Sequence, residues 1–373
     1  MSKNYYSLGL MSGTSMDGVD ASIIQTNGKS KYKAILDKYF EYPKDIYQDL
    51  TKLRDKIKKR KDLKKFKKKI KSIEKNITLF HAKAANEIIK ITKVNIDFIG
   101  FHGQTIFHNN KEKISKQLGD GELLSALTKK KVVYDFRQKD LKNDGLGAPL
   151  TPIFHKLLAK KFKIKRDALF INIGGITNFT QVSNYIIDEA RDLGPGMCLI
   201  DKLIRGHLNK KYDKNGKIAK LGKINNKVLD QLQKNLEQIE KLLLWKSYTI
   251  SALDVKDFNY SLARKLSLKD AAATLTEFTA KIIYNNMPWH FNNSGSNLIL
   301  CGGGRKNKFL VEKLKKETEN VKMIDDYGID GDFVESQAFA YLAIRSYLKL
   351  PISFPETTGC KKPCTGGVIV KNF

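Results

Sequence analysis

The chain opens on an apolar run, Tyr5 to Met11, which gives way to small and polar residues, Ser12-Gly13-Thr14-Ser15-Met16-Asp17-Gly18. Val19, Ala21 and Ile23 then alternate with more polar positions. An apolar run, a glycine-bearing turn and a period of two predict a hairpin. The pattern returns mid-chain, with a strand over Ala168 to Ile173, the turn Gly174-Gly175 and a strand from Ile176 to Val182. A third glycine turn, Cys301-Gly302-Gly303-Gly304-Arg305-Lys306-Asn307, follows a strand over Asn297 to Leu300. There the period becomes helical, through Phe309, Leu310, Leu314 and Val321.

Helices are expected over Val228 to Trp245, Lys269 to Met287 and Val334 to Leu350, the last stopped by Pro351. A basic helical region reaches about Lys93. It precedes a buried strand, Ile96 to Phe101, that ends on His102-Gly103-Gln104. Two hairpins of one kind, one near the start of each half, predict a duplicated α/β architecture with a cleft between halves. No Pro-, Gly- or Ser-rich linker marks the boundary.

At 373 residues, 41% of them hydrophobic, the chain fits two cores better than one. No apolar run reaches bilayer-spanning length, and the N-terminus lacks a signal peptide's apolar stretch, so the cytoplasm is expected and a membrane is not. The four cysteines (Cys198, Cys301, Cys360, Cys364) read as reduced thiols in packing roles. The formal net charge of +29 raises the question of nucleic acid. More than half of the residues from Lys52 to Lys75 are Lys or Arg, but Ile57, Leu63, Phe66, Ile70 and Ile73 recur among them at helical spacing. This is an apolar stripe with a solvated basic face. No aromatic-interleaved basic motif accompanies it, so no specific nucleic-acid partner is expected.

The turn Gly13-Thr14-Ser15-Met16-Asp17-Gly18-Val19-Asp20 carries the strongest local signal. Small residues let backbone N–H groups converge on an anion. Thr14 and Ser15 add hydroxyls, and Asp17 and Asp20 could orient magnesium-bound water. It is not a Walker A loop, because no Gly-Lys-Ser/Thr follows and a strand succeeds it. Taken alone it reads equally well as an ordinary hairpin turn. Gly174-Gly175, beside Thr177 and Asn178, offers a second cradle, and Gly302-Gly303-Gly304 a third. Together the three turns point to a nucleotide.

Asp192-Leu193-Gly194-Pro195-Gly196 reads as a turn stiffened by Pro195, presenting Asp192 either as its opening residue or as a fixed general base. Asp188, Glu189 and Asp201 stand nearby, and periodicity does not choose among the four. Phe101-His102-Gly103-Gln104-Thr105 places polar side chains beyond a strand end, the usual ligand side of an open sheet. Asp135 to Asp140, with Arg137, and Gly145 to Leu150 read as loops lining the same cleft. Glu335 opens the last long helix, where the helix dipole alone would favour an acid.

In this order the motifs resemble the anhydro-N-acetylmuramic acid kinase family, within the superfamily of sugar kinases, Hsp70 and actin. The resemblance spans nearly the whole chain. It rests on Met11 to Asp20, His102 to Thr105, Asp135-Phe136-Arg137 with Asp140, Gly147 to Leu150, Asn172 to Asn178, Asp192 to Gly196, Cys301 to Gly304, and Glu335 with Ala338 to Ala340. It implies a two-domain actin-like (ribonuclease H-like) sugar kinase fold with a nucleotide cleft between domains. Residues 1–135 with 351–373 would carry the phosphate turn and sugar contacts, and 136–350 would be the nucleotide-binding domain. It implies a homodimer that uses ATP and Mg2+ to open a 1,6-anhydro sugar with water and to phosphorylate O6, within peptidoglycan recycling.

By motif match, Gly13 to Asp20 with Gly174 and Gly175 would hold ATP, and Gly302 to Gly304 would sit by the adenosine. Asp192 would activate the water, and Glu335 would face the sugar. His102, Gln104, Arg137 and Asp140 would line the sugar site; no metal ligand is assigned. The sequence departs from the family at Met197, where Asn is usual, at Asn143 to Leu146, and at Thr249 to Asp254, all positions that could border the sugar. Other readings are a kinase of the same superfamily for a different sugar, a non-catalytic nucleotide-switched protein, and a polyanion-binding protein resting on the basic segment.

Overall fold

The computed structural model describes residues 3–164, 167–244, 253, 258–287 and 296–373. It forms two units, Met1–Lys163 with Phe333–Phe373, and Ile164–Asp332. In chain order the first unit begins with β1 (Tyr5–Ser12), β2 (Gly18–Thr26), β3 (Tyr32–Glu41), α1 (Lys44–Lys56), α2 (Arg60–Lys65) and α3 (Lys67–Thr92). It continues with β4 (Phe98–Asn109), β5 (Ile114–Leu118), α4 (Gly121–Thr128), β6 (Lys131–Tyr134), α5 (Gln138–Lys142) and α6 (Pro152–Lys161). The second unit holds β7 (Ala168–Ile173), β8 (Ile176–Ser183), β9 (Ile186–Pro195), α7 (Cys198–His207), α8 (Asn226–Leu244), α9 (Leu268–Asn285), β10 (Asn297–Cys301), α10 (Lys308–Glu317) and β11 (Val321–Met323). The chain then returns to the first unit with α11 (Val334–Tyr347), α12 (Pro355–Thr358) and β12 (Val368–Val370).

The first sheet runs β12-β6-β4-β1-β2-β3, with β5 on β4, and the second runs β11-β10-β7-β8-β9. In both, an antiparallel three-strand meander is extended by two parallel strands on the side of its first strand. The five-strand core β6-β4-β1-β2-β3 therefore repeats as β11-β10-β7-β8-β9, the duplicated α/β architecture that the paired hairpins predict.

Alternation on β1 shows how the first unit packs. Leu8 and Leu10 join a core with Ile70, Ile73 and Ile77 of α3. Gly9, pointing the other way, meets α11: a Cβ there would lie 1.8 Å from the Ser336 carbonyl oxygen, and one on Gly100 of β4 would lie 2.2 Å from that of Phe339. The two glycines let the α11 backbone lie directly on the sheet. Buried on both faces, β1 is apolar almost throughout, as a central strand must be.

The sequence-based boundaries near 135 and 350 move. Residues 136–163 and 333–350 belong to the first unit, because α11 is seated on β1 and β4 and α6 is tied to β3. The α6 tie is an edge contact of Tyr32 with Phe154 and a 2.7 Å bond from Lys161 Nζ to the Tyr32 carbonyl. The basic helical region is divided among three helices, α1, α2 and α3. The N–H groups of Lys58 and Lys59 donate to the Asp62 carboxylate at 3.0 and 2.9 Å, capping α2 afresh and ending α1 at Lys56. The apolar stripe holds nonetheless, with Ile57, Ile70 and Ile73 buried. Among the described residues no helix is long and apolar enough to cross a membrane.

Candidate active site

The turn between β1 and β2 is held from several sides. Met16 donates its N–H to the Gly13 carbonyl at 3.2 Å and takes a left-handed φ of 59°. Burial of its side chain in the core under the sheet offsets that strain. The Asp17 carbonyl accepts from Tyr42 N–H at 2.8 Å and from the Tyr39 hydroxyl at 2.9 Å, and the Asp17 carboxylate from the Ser15 hydroxyl at 2.5 Å. Gln104 Nε2 donates to the Gly13 carbonyl at 3.0 Å, while Gln104 Oε1, fully buried, has no partner among the described residues. Below the turn, Ser12 Oγ lies 2.8 Å from the Tyr42 hydroxyl and 3.2 Å from His81 Nε2.

Thr14 and Ser15 stay exposed, whereas Met16 and Val19 face inward, so those two offer a ligand only backbone. Gly18 is glycine for packing, since a Cβ would sit 2.4 Å from the Phe40 carbonyl oxygen. Gly13 is different. A Cβ there would find nothing closer than Ser15 Oγ at 3.9 Å. The fold does not require glycine at this position, but a ligand approaching the backbone would.

His102 does not follow the end of β4, as the sequence predicts; it lies within the strand. In the pairing with β1, Leu10 faces Phe101 and Met11 faces Gly103, making His102 the extra residue of a bulge. Gly103 allows it, with φ of 73°. The imidazole stacks on Phe339 at 4.5 Å, and its Nδ1–H donates to the Gly103 carbonyl at 3.0 Å. Nε2 then accepts from Arg137 Nε and Nη2 at 3.2 and 2.9 Å. Burial first, and the Arg137 charge second, hold the His102 pKa well below its ordinary value, so the ring is a neutral acceptor.

Arg137 also donates through Nη1 to the Gly147 carbonyl at 2.7 Å. Asp140 is the buried anchor of the same loop: one oxygen accepts from Gly147 N–H and the other from the Thr358 hydroxyl, each at 2.7 Å. A Cβ on Gly145 would lie 2.2 Å from Asp140 Oδ2, so packing against that carboxylate requires glycine there. Glu335 is half-buried in the first turn of α11, beside the Ser336 carbonyl that rests on Gly9.

In the second unit the Gly174 and Gly175 carbonyls accept from Met197 and Gly196 N–H at 2.9 and 3.0 Å, satisfying donors at the start of α7. Beside the turn, Thr177 Oγ1 and Asn178 Oδ1 are buried and have no partner among the described residues. The Gly302 turn lies against the end of β7. Gly302 has φ of 77°, with Asn172 Oδ1 2.4 Å from where a Cβ would be, and a Gly304 Cβ would strike Ile173 Cγ2 at 2.2 Å. Gly303, like Gly13, would meet nothing, here within 4 Å.

Asp192 stands inside β9 rather than at the start of a turn. Thr177 pairs with Gly194 and Asn178 with Asp192, so Leu193 is bulged out and the strand runs to Pro195. Asn172, Asn178 and Asp192 form a polar row across β7, β8 and β9. Asp192 Oδ2 accepts the Leu253 N–H at 2.9 Å. The rest of 249–254 lies outside the described residues. Asp188 and Glu189 are exposed and engage Ser183 and Arg191, and Asp201 belongs to α7, which leaves Asp192 as the carboxylate of the row.

Arg305, which no motif in the sequence singles out, has a side chain only 4% exposed. It reaches Asp325 through Nε and Nη2 at 2.7 and 2.8 Å, Asp330 at 3.0 Å, Asp332 at 2.5 Å and the Gly302 carbonyl at 3.0 Å. Lys306 also pairs with Asp332. Among the described residues no group of three or more His, Cys, Asp or Glu side chains could hold a metal ion.

Residues 5–372 match the family described as anhydro-N-acetylmuramic acid kinase. The chain is 52% identical over 383 aligned positions to the protein of that name from Pelagibacter ubique, covering 100% of each. It is 35% identical to the one from Agrobacterium fabrum, with 98% of each covered. A ROK family glucokinase from Streptomyces griseus, solved with glucose and AMPPNP, aligns over 91% of this chain and 99% of its own at 11% identity and a TM-score of 0.39, too distant to carry an argument. Matched from end to end by the family and by relatives at these identities, the chain belongs to the anhydro-N-acetylmuramic acid kinase family.

Proposed function

We propose that the protein uses ATP and water to convert 1,6-anhydro-N-acetylmuramic acid into N-acetylmuramic acid 6-phosphate and ADP. Water adds to the anomeric carbon as the bond from that carbon to O6 breaks. O6 takes the γ-phosphoryl group, the bond to the ADP oxygen breaks, and the water proton passes to a carboxylate. Full-length membership of a kinase family supports the reaction class. In each unit by itself one glycine supports the reading, Gly13 in the first and Gly303 in the second, since the fold leaves their side-chain positions empty.

In this reading the turn from Gly13 to Asp20, with Gly174 and Gly175, takes the phosphates, and Gly302 to Gly304 take the adenosine. Asp192 is the general base, a role suited to a carboxylate held by a backbone N–H at a strand bulge. Glu335, the His102–Arg137 pair and Gln104 face the sugar, and Asp140 shapes the loop beneath them without touching it. Mg2+ would be held by the nucleotide phosphates with Asp17 and Asp20 acting through water, which suits an ion that keeps most of its waters. It would neutralise charge on the transferring group. A cytoplasmic homodimer working in peptidoglycan recycling completes the family reading.

The deciding experiment incubates the protein with ATP, Mg2+ and 1,6-anhydro-N-acetylmuramic acid and follows the sugar by mass. A product heavier by one water and one phosphoryl group is expected. An unchanged sugar would overturn the reading, and a phosphorylated product from another sugar alone would move it to a different sugar kinase.

A further inference from the structure

The phosphate turn carries two acids, Asp17 and Asp20, and no cation of its own between Ser12 and Asp20. A polyphosphate seated there would add several negative charges. Phosphoryl transfer depends on neutralising such charge, and a P-loop supplies a lysine from its own sequence for that purpose. Here a cation reaches the turn from elsewhere in the chain. Arg54, in the last turn of α1, donates Nη1 to the Thr14 carbonyl at 3.1 Å, next to the open face of Gly13.

The placement is fixed by the core. Leu50, Leu53 and Ile57 on the same stretch are fully buried and hold α1 beside the sheet. Arg54 itself is 26% exposed, and the one ion pair it makes among the described residues, with Asp55, is 3.9 Å from Nε, beyond a hydrogen bond. Among the described residues nothing accepts from Nη2, so one edge of the fork is uncommitted while the other grips the turn.

We infer that Arg54 is a phosphate-contacting cation, which reaches the ATP phosphates from α1 and replaces the lysine that the turn lacks. The inference rests on the kinase reading above and deepens it. A planar fork can hold a backbone carbonyl on one edge and a phosphate oxygen on the other, which a lysine does less well.

The test compares binding of ATP and of adenosine to the full-length wild type and to Arg54→Gln, Arg54→Ala and Arg54→Lys. Gln keeps a donor for the Thr14 carbonyl but removes the charge, so it separates neutralisation from turn support. ATP affinity should fall at least about 10-fold in Gln and Ala, the scale of one lost charge-assisted hydrogen bond, and by less in Lys. Adenosine affinity should stay within about 2-fold, since no phosphate is present. Unchanged ATP affinity in the Gln variant, or equal losses for ATP and adenosine, would overturn the inference while leaving the kinase reading standing. A wild type that binds no ATP would overturn both.

Discussion

Arg305 grips Asp325 with both arms of a fork, Nε to Oδ2 at 2.7 Å and Nη2 to Oδ1 at 2.8 Å, and its remaining donors close on Asp330, Asp332 and the Gly302 carbonyl. The glycine turn after β10 is thereby tied to the segment 325–332 through one guanidinium, reinforced by a Gly302 N–H bond to the Gly331 carbonyl at 2.9 Å. A Cβ on Gly331 would lie 2.3 Å from Arg305 Nε, so the glycine is the condition of that closeness.

Removing Arg305 leaves three carboxylates around an empty position. Arg305→Ala should destabilise the protein by roughly 1–2 kcal/mol in chemical denaturation, less than a fully buried pair because the guanidinium is buried but its carboxylate partners are partly exposed and screened. The effect should depend on pH. Burial alone would raise the Asp325 pKa, but Arg305 outweighs it, and the net shift is downward. A depressed carboxylate contributes stability above its unfolded pKa of about 4 and loses it as pH falls through the lower folded value. The difference between wild type and variant should be full at neutral pH and shrink below pH ~4.

Gly302 and Gly303 are adjacent but should answer substitution in opposite ways. Gly302→Ala meets both a φ of 77° and Asn172 Oδ1, and should cost about 2 kcal/mol or more of stability. Gly303→Ala meets nothing and should leave stability within about 0.5 kcal/mol while raising the KM for ATP about 10-fold or more, because the methyl occupies the space assigned to the ligand. Thermal melts paired with ATP titrations read the two effects separately. An unaltered KM in Gly303→Ala would detach that turn from the nucleotide.

The hairpins were legible because a period of two needs no tertiary information: β1, β2, β7 and β8 fall where the pattern puts them. The bulges at His102 and Leu193 were not, because a bulge is a relation between two strands and leaves little local trace. The pattern therefore marks His102 and Asp192 as polar residues of interest but puts them beyond a strand end and in a turn, where the structure has strand bulges. The break after α1 had a faint signal in Asp62, an acid amid lysines that turns out to cap a new helix. Arg305 had none, since Asp325 lies 20 residues away and only the fold brings the two together. Arg54 was hidden by its surroundings, one cation among many in a basic run, and only its contact with Thr14 sets it apart.

Three histidines of the first unit, His81, His102 and His155, are buried and held neutral. Burial lowers His81 to about 4 and His155 to about 3, and His102 falls well below its ordinary value through burial and Arg137. In the unfolded chain each titrates near 6.5. Between that value and the folded one the unfolded state binds more protons, so stability falls as pH falls. From pH 7.5 to 5.5 the three together should cost roughly 4 kcal/mol, about a third from each. Urea unfolding at the two pH values measures the sum, and His81→Gln should remove about a third of it.

The last expectation concerns Asp192. Its Oδ2 is held by the Leu253 N–H, and it stands at the end of the polar row begun by Asn172 and Asn178. Asn has the same shape and can still occupy the bulged strand, but it cannot take a proton from water. Asp192→Asn should therefore retain ATP and sugar binding, with KM values within about 3-fold, and lose about 10²- to 10⁴-fold in kcat, the range for a general base. An isosteric change that spares KM isolates chemistry from packing. Near-normal turnover by the variant would take the base role from Asp192 and pass it to another carboxylate, of which Glu335 would be tested next by Glu335→Gln in the same assay.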